Sequence, residues 1–460
     1  EYMFCLSWML LILFFLSLLP EKKTRYLLPI LLPAALTMGY LFVYWIQQAK
    51  QKMPHLKDRV IYRINAYLIV VATLTLPVAL YLFMYREGRI GTGMFIWLAV
   101  LFLTVAVWLF SSALKLRPFS FLMGVVALFA VAELFVMPYI GSFVSNSDPK
   151  SISATQENPE LKALPFYHSK DEVLRIELVY EAHKKIGDMD LTNKEEESRN
   201  IVTAREMVYD HNWLVPTMNG ELRLEKPPLP TWIAAVVEVI SPDNLPLQRA
   251  MAGLAAVMLV LFFYKFATKL TGNRTYALVS SLVLCTSYNI ILMGRTATWD
   301  IYCHAFMMGA IYYLYLALRQ TACKWPLFIA AGIFMGLSFL GKGPVSFYAL
   351  LLPFICAYLL FYRRETRMKG KWAALFTMIF ICIVLSTWWY AYTYICHQEM
   401  ASYVFHKESS SWSNHNVRSW YYYWQFFLET GVWSLLTLTA LIVPFWKKRV
   451  EASKEYMFCL

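Results

Sequence analysis

Among the charged residues of this largely apolar chain, those in the loops on one side of the apolar runs could do chemistry. They are Glu195, Glu196 and Glu197 in an acidic run; Glu225 and Lys226 in LEKPPLP; Arg295 and Asp300 in GRTATWD; Lys342 in FLGKGPV; Arg418 in NHNVRSWYYY; and Lys22, Lys23 and Arg25 in EKKTRYLLP. Charge at or inside a membrane boundary is costly, so carboxylates and cations converging on one face point to a functional site by default. The chemistry would be that of an enzyme acting on a lipid phosphate. Cations hold the phosphate, and a carboxylate takes a proton from an acceptor hydroxyl.

Each residue also has a plainer reading. The glutamate triplet reads equally as a solvated acidic run. Asp300, just ahead of an apolar run, reads as a helix N-cap or first-turn acid paired with Arg295. Lys342, between Gly341 and Gly343, reads as a snorkelling anchor in a tight turn. Glu225 and Lys226 read as a surface pair beside the helix-stopping Pro227 and Pro228. The aromatics WYYYW (420–424) read as an interfacial belt. His168, His211, His397, His406 and His415 have no HxxxH-type spacing, so no metal site is assigned to them.

The elements that must position these residues are membrane spans. Of 460 residues, 59% are hydrophobic, 17% aromatic and only 16% charged, which lies outside the usual range of soluble domains. Apolar runs are expected to cross at 4–20, 26–46, 66–84, 93–113, 118–141, 247–266, 277–294, 301–318, 325–341, 344–362, 372–394 and 431–446. With no alternating barrel pattern, the expected fold is an all-α polytopic membrane bundle of about twelve helices. The net charge of +12 sits in short Lys/Arg clusters between spans rather than in a nucleic-acid-binding patch. Those clusters, at 47–63, 363–371 and 447–454, all fall on the cytoplasmic side, which leaves the candidate residues on the external face. Cys285, Cys356 and Cys382 lie inside apolar runs without CxxC spacing, so the eight cysteines indicate neither a disulfide framework nor a metal cluster.

Four regions are expected: transmembrane helices over 1–141, a small external α/β domain over 142–187, an external catalytic loop over 188–246 and further transmembrane helices over 247–460. In the second, DEVLRIELVY reads as a strand or short helix; in the third, IVTAREMVYD (201–210) reads as an amphipathic interfacial helix. The hexapeptide EYMFCL stands at both 1–6 and 455–460. Both ends are expected in the cytoplasm, as a circularly permuted chain with a short overlap would require.

The loop EESRNIVTAREMVYDHNWLVPTMNGELRLEKPPLPTW (196–232) resembles the first external loop of the aminoarabinose-transferase-like GT-C glycosyltransferases, relatives of the dolichyl-phosphate-mannose protein mannosyltransferases. An acidic pair, AREM, a W-hydrophobe-P-x-x-N-G stretch and EKPP follow in that family's order. GRTATWD is similar to its Arg and Asp segment, LGKGPV to its Lys-Gly-Pro turn, and LLPEKKTRYLLPILLPAAL (18–36) to its late Lys/Arg-Tyr-hydrophobe-Pro segment. Reading 188–460 and then 7–187 restores the family order, without the helix that precedes the acidic loop in the family. The family pattern of Asp-Glu is Glu196-Glu197 here.

The resemblance implies a GT-C-type bundle that inverts as it moves a sugar from a polyprenyl-phosphate donor to an acceptor, a lipid A-like glycolipid or a protein. The site would face the periplasm from the bacterial inner membrane. Glu196 would be the general base, with Glu197 and Asp300 completing the catalytic set. Lys342, Arg25 and Lys226 would neutralise the phosphate, and Glu225, Arg295, Tyr26 and Arg418 would contact substrate. A divalent metal is compatible with such sites, and no ligand set in the sequence assigns one. A lipid-linked sugar transporter or flippase is the alternative, against which stands the lack of a repeat between halves.

Overall fold

The computed structural model describes residues 1–137, 166–167, 186–187, 196–414 and 417–446. Its architecture is an all-α polytopic membrane bundle, with ten helices long and apolar enough to span a bilayer among the described residues. In chain order the helices are α1 (Tyr2–Leu18), α2 (Leu31–Ala49), α3 (Leu56–Leu80), α4 (Thr92–Leu114), α5 (Pro118–Val131), α6 (Glu196–Tyr209), α7 (Leu229–Ile240) and α8 (Leu245–Thr271). There follow α9 (Arg274–Cys285), α10 (Tyr288–Arg295), α11 (Trp299–Arg319), α12 (Trp325–Lys342), α13 (Leu352–Tyr362), α14 (Trp372–Cys396), α15 (Gln398–Asn414) and α16 (Ser434–Trp446).

Each of the twelve expected apolar runs falls on helix over its described residues, the run at 118–141 as far as residue 137. Two depart from a plain span: α1 has 17 residues, and the run at 277–294 is broken into α9 and α10, bent by 63°. Several spans are longer than their apolar cores because tighter or wider turns extend them. Thr24–Ile30 forms a 3-10 segment leading into α2, and Phe347–Leu351 a π turn leading into α13. In hydrocarbon every backbone polar group needs an internal partner, and such turns keep the ladder satisfied where α geometry lapses.

Two short sheets complete the described chain. β1 (Phe166–Tyr167) pairs in parallel with β2 (Ile186–Gly187), the only part of the expected 142–187 domain among the described residues; DEVLRIELVY lies outside them. β3 (Thr217–Met218) and β4 (Glu221–Leu222) form a hairpin closed by Asn219 and Gly220, both at positive φ (56° and 83°). Two successive left-handed residues are what a two-residue hairpin turn requires, and Asn-Gly meets it with least strain.

The site is positioned by α11, α12 and α14. In α12, a Cβ added at Gly332 would lie 2.6 Å from the Met378 carbonyl oxygen of α14, and one at Gly336 would lie 2.5 Å from the Leu385 side chain. Glycines four apart thus let two spans approach backbone to backbone, the usual route to tight packing where lipid removes the hydrophobic drive. Buried Lys371 caps the far end of α11, donating to the carbonyls of Leu318 (2.9 Å) and Gln320 (2.5 Å). Burial lowers its pKa, while the helix dipole favours a cation there.

Candidate active site

Asp300 occupies the first turn of α11 and is fully buried, at 0% exposure. Its neighbours compensate the charge. Lys342, the last residue of α12, donates from Nζ to Asp300 Oδ2 at 2.5 Å, and Arg25 Nε lies 4.0 Å from the same oxygen. The helix N-terminus adds a further favourable field. Asp300 Oδ1 has no hydrogen-bond partner among the described residues. The expected pairing of Asp300 with Arg295 does not form: Arg295 closes α10 and donates to Glu133 Oε2 at 2.7 Å. Lys342 is likewise no snorkelling anchor. It is buried, and Gly343 at φ +72° turns the chain away just after it.

Tyr26 completes this group. The ammonium of Lys342 lies 5.7 Å from the centre of its ring and the guanidinium of Arg25 6.0 Å, while its hydroxyl donates to Glu21 Oε2 at 3.3 Å. The segment that carries Arg25 is held by α1 and by the 3-10 helix Trp420–Trp433. Lys22 donates to the terminal carbonyls of α1, Glu21 bridges to Val417, and the Lys23 N–H donates to the Tyr423 hydroxyl at 3.0 Å. Tyr423 is buried, so the WYYYW run is in part a structural support rather than only a belt. Arg418 lies exposed beside the Tyr422 ring, 5.4 Å from its centre, outside the cavity described next.

A cavity of about 400 Å³ opens beside the cluster, and Tyr26, Glu225, Lys226 and Lys342 all line it. Glu225 Oε1 accepts a hydrogen bond from Lys407 of α15 at 2.9 Å. Burial pushes its pKa up, but the Lys407 hydrogen bond and charge, with Arg223 and Lys226, outweigh this and hold it below the usual value. The wall is completed by Tyr348, Tyr390, Tyr394, Ser402 and His406, none of which was expected as a site residue. The signal available for them was weak, because tyrosines on apolar helices look like interfacial belt residues until the helices are placed.

The loop that carries the family-like motif is built around two buried side chains of α6. Glu206 accepts from Thr217 Oγ1 (2.8 Å), the Asn219 N–H (2.5 Å) and the Gly220 N–H (3.1 Å), fixing the hairpin turn. Arg205 pairs with Asp243 ahead of α8. Arg223 then ties the hairpin to the site. It donates to the Arg199 carbonyl (2.8 Å) and Thr203 Oγ1 (2.7 Å), and its guanidinium lies 5.1 Å from the Trp299 ring centre, next to Asp300. Asn200 donates to the Ala297 carbonyl at 3.2 Å and accepts from Thr231 at 2.7 Å. The interfacial helix expected over 201–210 is therefore α6, beginning at Glu196 and packed on the loop before α11. Glu196 and Glu197 form its first turn, with Glu196 one turn ahead of Asn200; their side chains lie outside the described residues. No group of three or more His, Cys, Asp or Glu side chains able to hold a metal occurs among the described residues.

Residues 225–390 match the family model of dolichyl-phosphate-mannose-protein mannosyltransferases. An uncharacterised protein of Aquifex aeolicus is 32% identical over 45% of this chain and 40% of its own length. The undecaprenyl phosphate-alpha-4-amino-4-deoxy-L-arabinose arabinosyl transferase 2 of Proteus mirabilis is 25% identical over 55% of this chain and 46% of its own. The corresponding transferase of Yersinia enterocolitica is 25% identical over 58% and 48%. The chain thus spans less than half the length of these curated relatives, and no solved structure matches it. The matched segment includes Glu225, Lys226, Asp300 and Lys342 of the cluster and cavity, with Tyr348 and Tyr390 of the cavity wall, and these similarities support the resemblance to the aminoarabinose-transferase-like GT-C glycosyltransferases.

Proposed function

We propose that the chain is an integral-membrane glycosyltransferase that moves a sugar from a polyprenyl-phosphate donor to an acceptor hydroxyl on a glycolipid or protein. The observation that carries this reading is the buried Asp300–Lys342 pair, with Arg25 beside it, at the edge of a cavity lined by Tyr26, Glu225 and Lys226. Such an arrangement offers fixed cations to a phosphate in a site largely shielded from water, where preorganised charge acts most strongly. The names of the relatives support the same reaction class.

In the reaction, the bond between the anomeric carbon and the phosphate oxygen breaks as the acceptor oxygen bonds the opposite face of that carbon. Negative charge builds on the departing polyprenyl phosphate, which Lys342, Arg25 and Lys226 neutralise. Glu196 takes the acceptor proton, with Glu197 beside it in the first turn of α6. Asp300 acts through Lys342, holding its ammonium in place, and Glu225 and Tyr26 orient the sugar. The positive-inside rule puts the basic 363–371 loop in the cytoplasm, so this cavity faces the periplasm of a bacterial inner membrane.

The test is transfer of labelled sugar from a synthetic polyprenyl-phosphate donor in membranes containing the protein, beside Glu196→Gln. The expected result is transfer by the unaltered chain, with the variant retaining donor but losing turnover at least 100-fold, as removal of a general base commonly does. Passage of the intact donor across the membrane, with Glu196 dispensable, would replace this reading with the transporter.

A further inference from the structure

A second recess lies toward the opposite end of the bundle from the cavity and shares none of its lining residues. It is a groove of about 710 Å³ between α11, α12, α14 and the 347–359 segment, walled by side chains such as Leu314, Met335, Leu351, Phe354 and Met378. Only its mouth is polar. Arg363 and Thr366 line that end, and Trp372, a residue type typical of the membrane interface, stands beside them.

The charge at this mouth is one-sided. The loop RRETRMKGK carries Arg363, Arg364, Arg367 and Lys369, all exposed, and none of their side chains is engaged in an ion pair or hydrogen bond among the described residues. The two other charges near it are already used: Glu365 binds Arg319, and Lys371 caps α11. From Leu351 to Arg363 the chain advances about 18 Å at ~1.5 Å per helical residue, close to one leaflet of a hydrocarbon core about 30 Å thick. An apolar trough one leaflet deep, ending in four cations at the interface, is complementary to a lipid with acyl chains and an anionic headgroup.

We infer that this groove is a binding site for one anionic phospholipid of the leaflet facing the 363–371 loop, with the acyl chains between α12, α13 and α14 and the headgroup phosphate on Arg363 and its neighbours. The site is independent of the sugar-transfer reading, since it uses none of that site's residues. A bound lipid there would brace α11 and α12, the helices that present Asp300, about four to five turns from Leu314 and Leu318, and Lys342, about two turns from Met335.

The probes are dioleoyl phosphatidylglycerol and dioleoyl phosphatidylcholine, titrated onto delipidated full-length protein in detergent and counted by native mass spectrometry. The expected result is one phosphatidylglycerol retained at least ten times more strongly than phosphatidylcholine. The preference should vanish in the triple variant Arg363→Gln, Arg364→Gln, Arg367→Gln, and retention of both lipids should fall in Met378→Trp, which fills the groove. Equal retention of the two lipids, or an undiminished preference in the triple variant, would overturn the proposal. So would displacement of phosphatidylglycerol by polyprenyl phosphate at equal concentration, which would assign the groove to the donor's chain instead. A melting profile of each variant separates lost lipid from lost fold.

Discussion

Lys342 and Asp300 separate two questions that are often merged, whether a residue holds the fold or serves the chemistry. Removing one partner of a buried ion pair leaves an uncompensated charge and costs about 3–5 kcal/mol, whereas replacing both with neutral groups of similar size can be nearly neutral. Lys342→Ala is therefore expected to lower the unfolding temperature in detergent markedly, and Asp300→Asn with Lys342→Met to recover most of it. Sugar transfer should stay abolished in both. A stable double variant with normal transfer would remove the pair from the proposed mechanism. A milder case is Glu225 with Lys407, a partly exposed pair worth below about 1 kcal/mol. Because the folded state holds the Glu225 carboxyl below its ordinary value, this contribution is fully present above the unfolded pKa of about 4.3. It is lost as pH falls through the lowered folded value. Lys407→Gln should thus melt slightly below the unaltered chain at pH 7, and the gap should close toward pH 3; a gap that widens in acid would contradict the assignment.

At the scale of elements, the α12–α14 contact makes a prediction. A Cβ added at Gly332 would lie 2.6 Å from the backbone carbonyl oxygen of Met378 and one at Gly336 2.5 Å from Leu385 Cβ, and neither atom can move without moving α14. Gly332→Ala and Gly336→Ala should each cost about 1–3 kcal/mol by overpacking, readable from melting midpoints in detergent. Unchanged midpoints in both variants would mean that the two helices are free to move apart. The hairpin next to α6 yields another. Glu206→Ala strips three donors, on half-buried or exposed residues, of their acceptor; it should cost about 1 kcal/mol and raise hydrogen exchange across 212–224. These cases show what was legible beforehand. Apolar run length located the spans, because that signal is local. The roles of Arg205 and Glu206, the Arg295–Glu133 pair and the tyrosine wall were not legible, because each depends on which element lies opposite.

At the scale of the molecule, the cluster draws on two stretches far apart in sequence. Asp300 and Lys342 lie inside the segment matched to the family, while Arg25 and Tyr26 lie some 200 residues before it begins. Their meeting depends on contacts that tie the first and last described helices together: the Tyr2 hydroxyl donates to the Ala440 carbonyl at 2.9 Å, and Glu21 bridges to Val417. With Tyr2 of α1 and Ala440 of α16 in contact, the order of the two stretches along the chain matters less than their packing, and a rearranged chain can reach the same bundle without threading. Rebuilding the protein as 188–460 followed by 7–187, the order the motifs imply, is therefore expected to preserve the Arg25–Asp300 contact. Cysteines placed at Glu21 and Val417 should form the same disulfide in both orders, with melting midpoints a few degrees apart. Failure of the rebuilt chain to form that disulfide, while the original forms it, would show that connectivity and not packing brings Arg25 to Asp300.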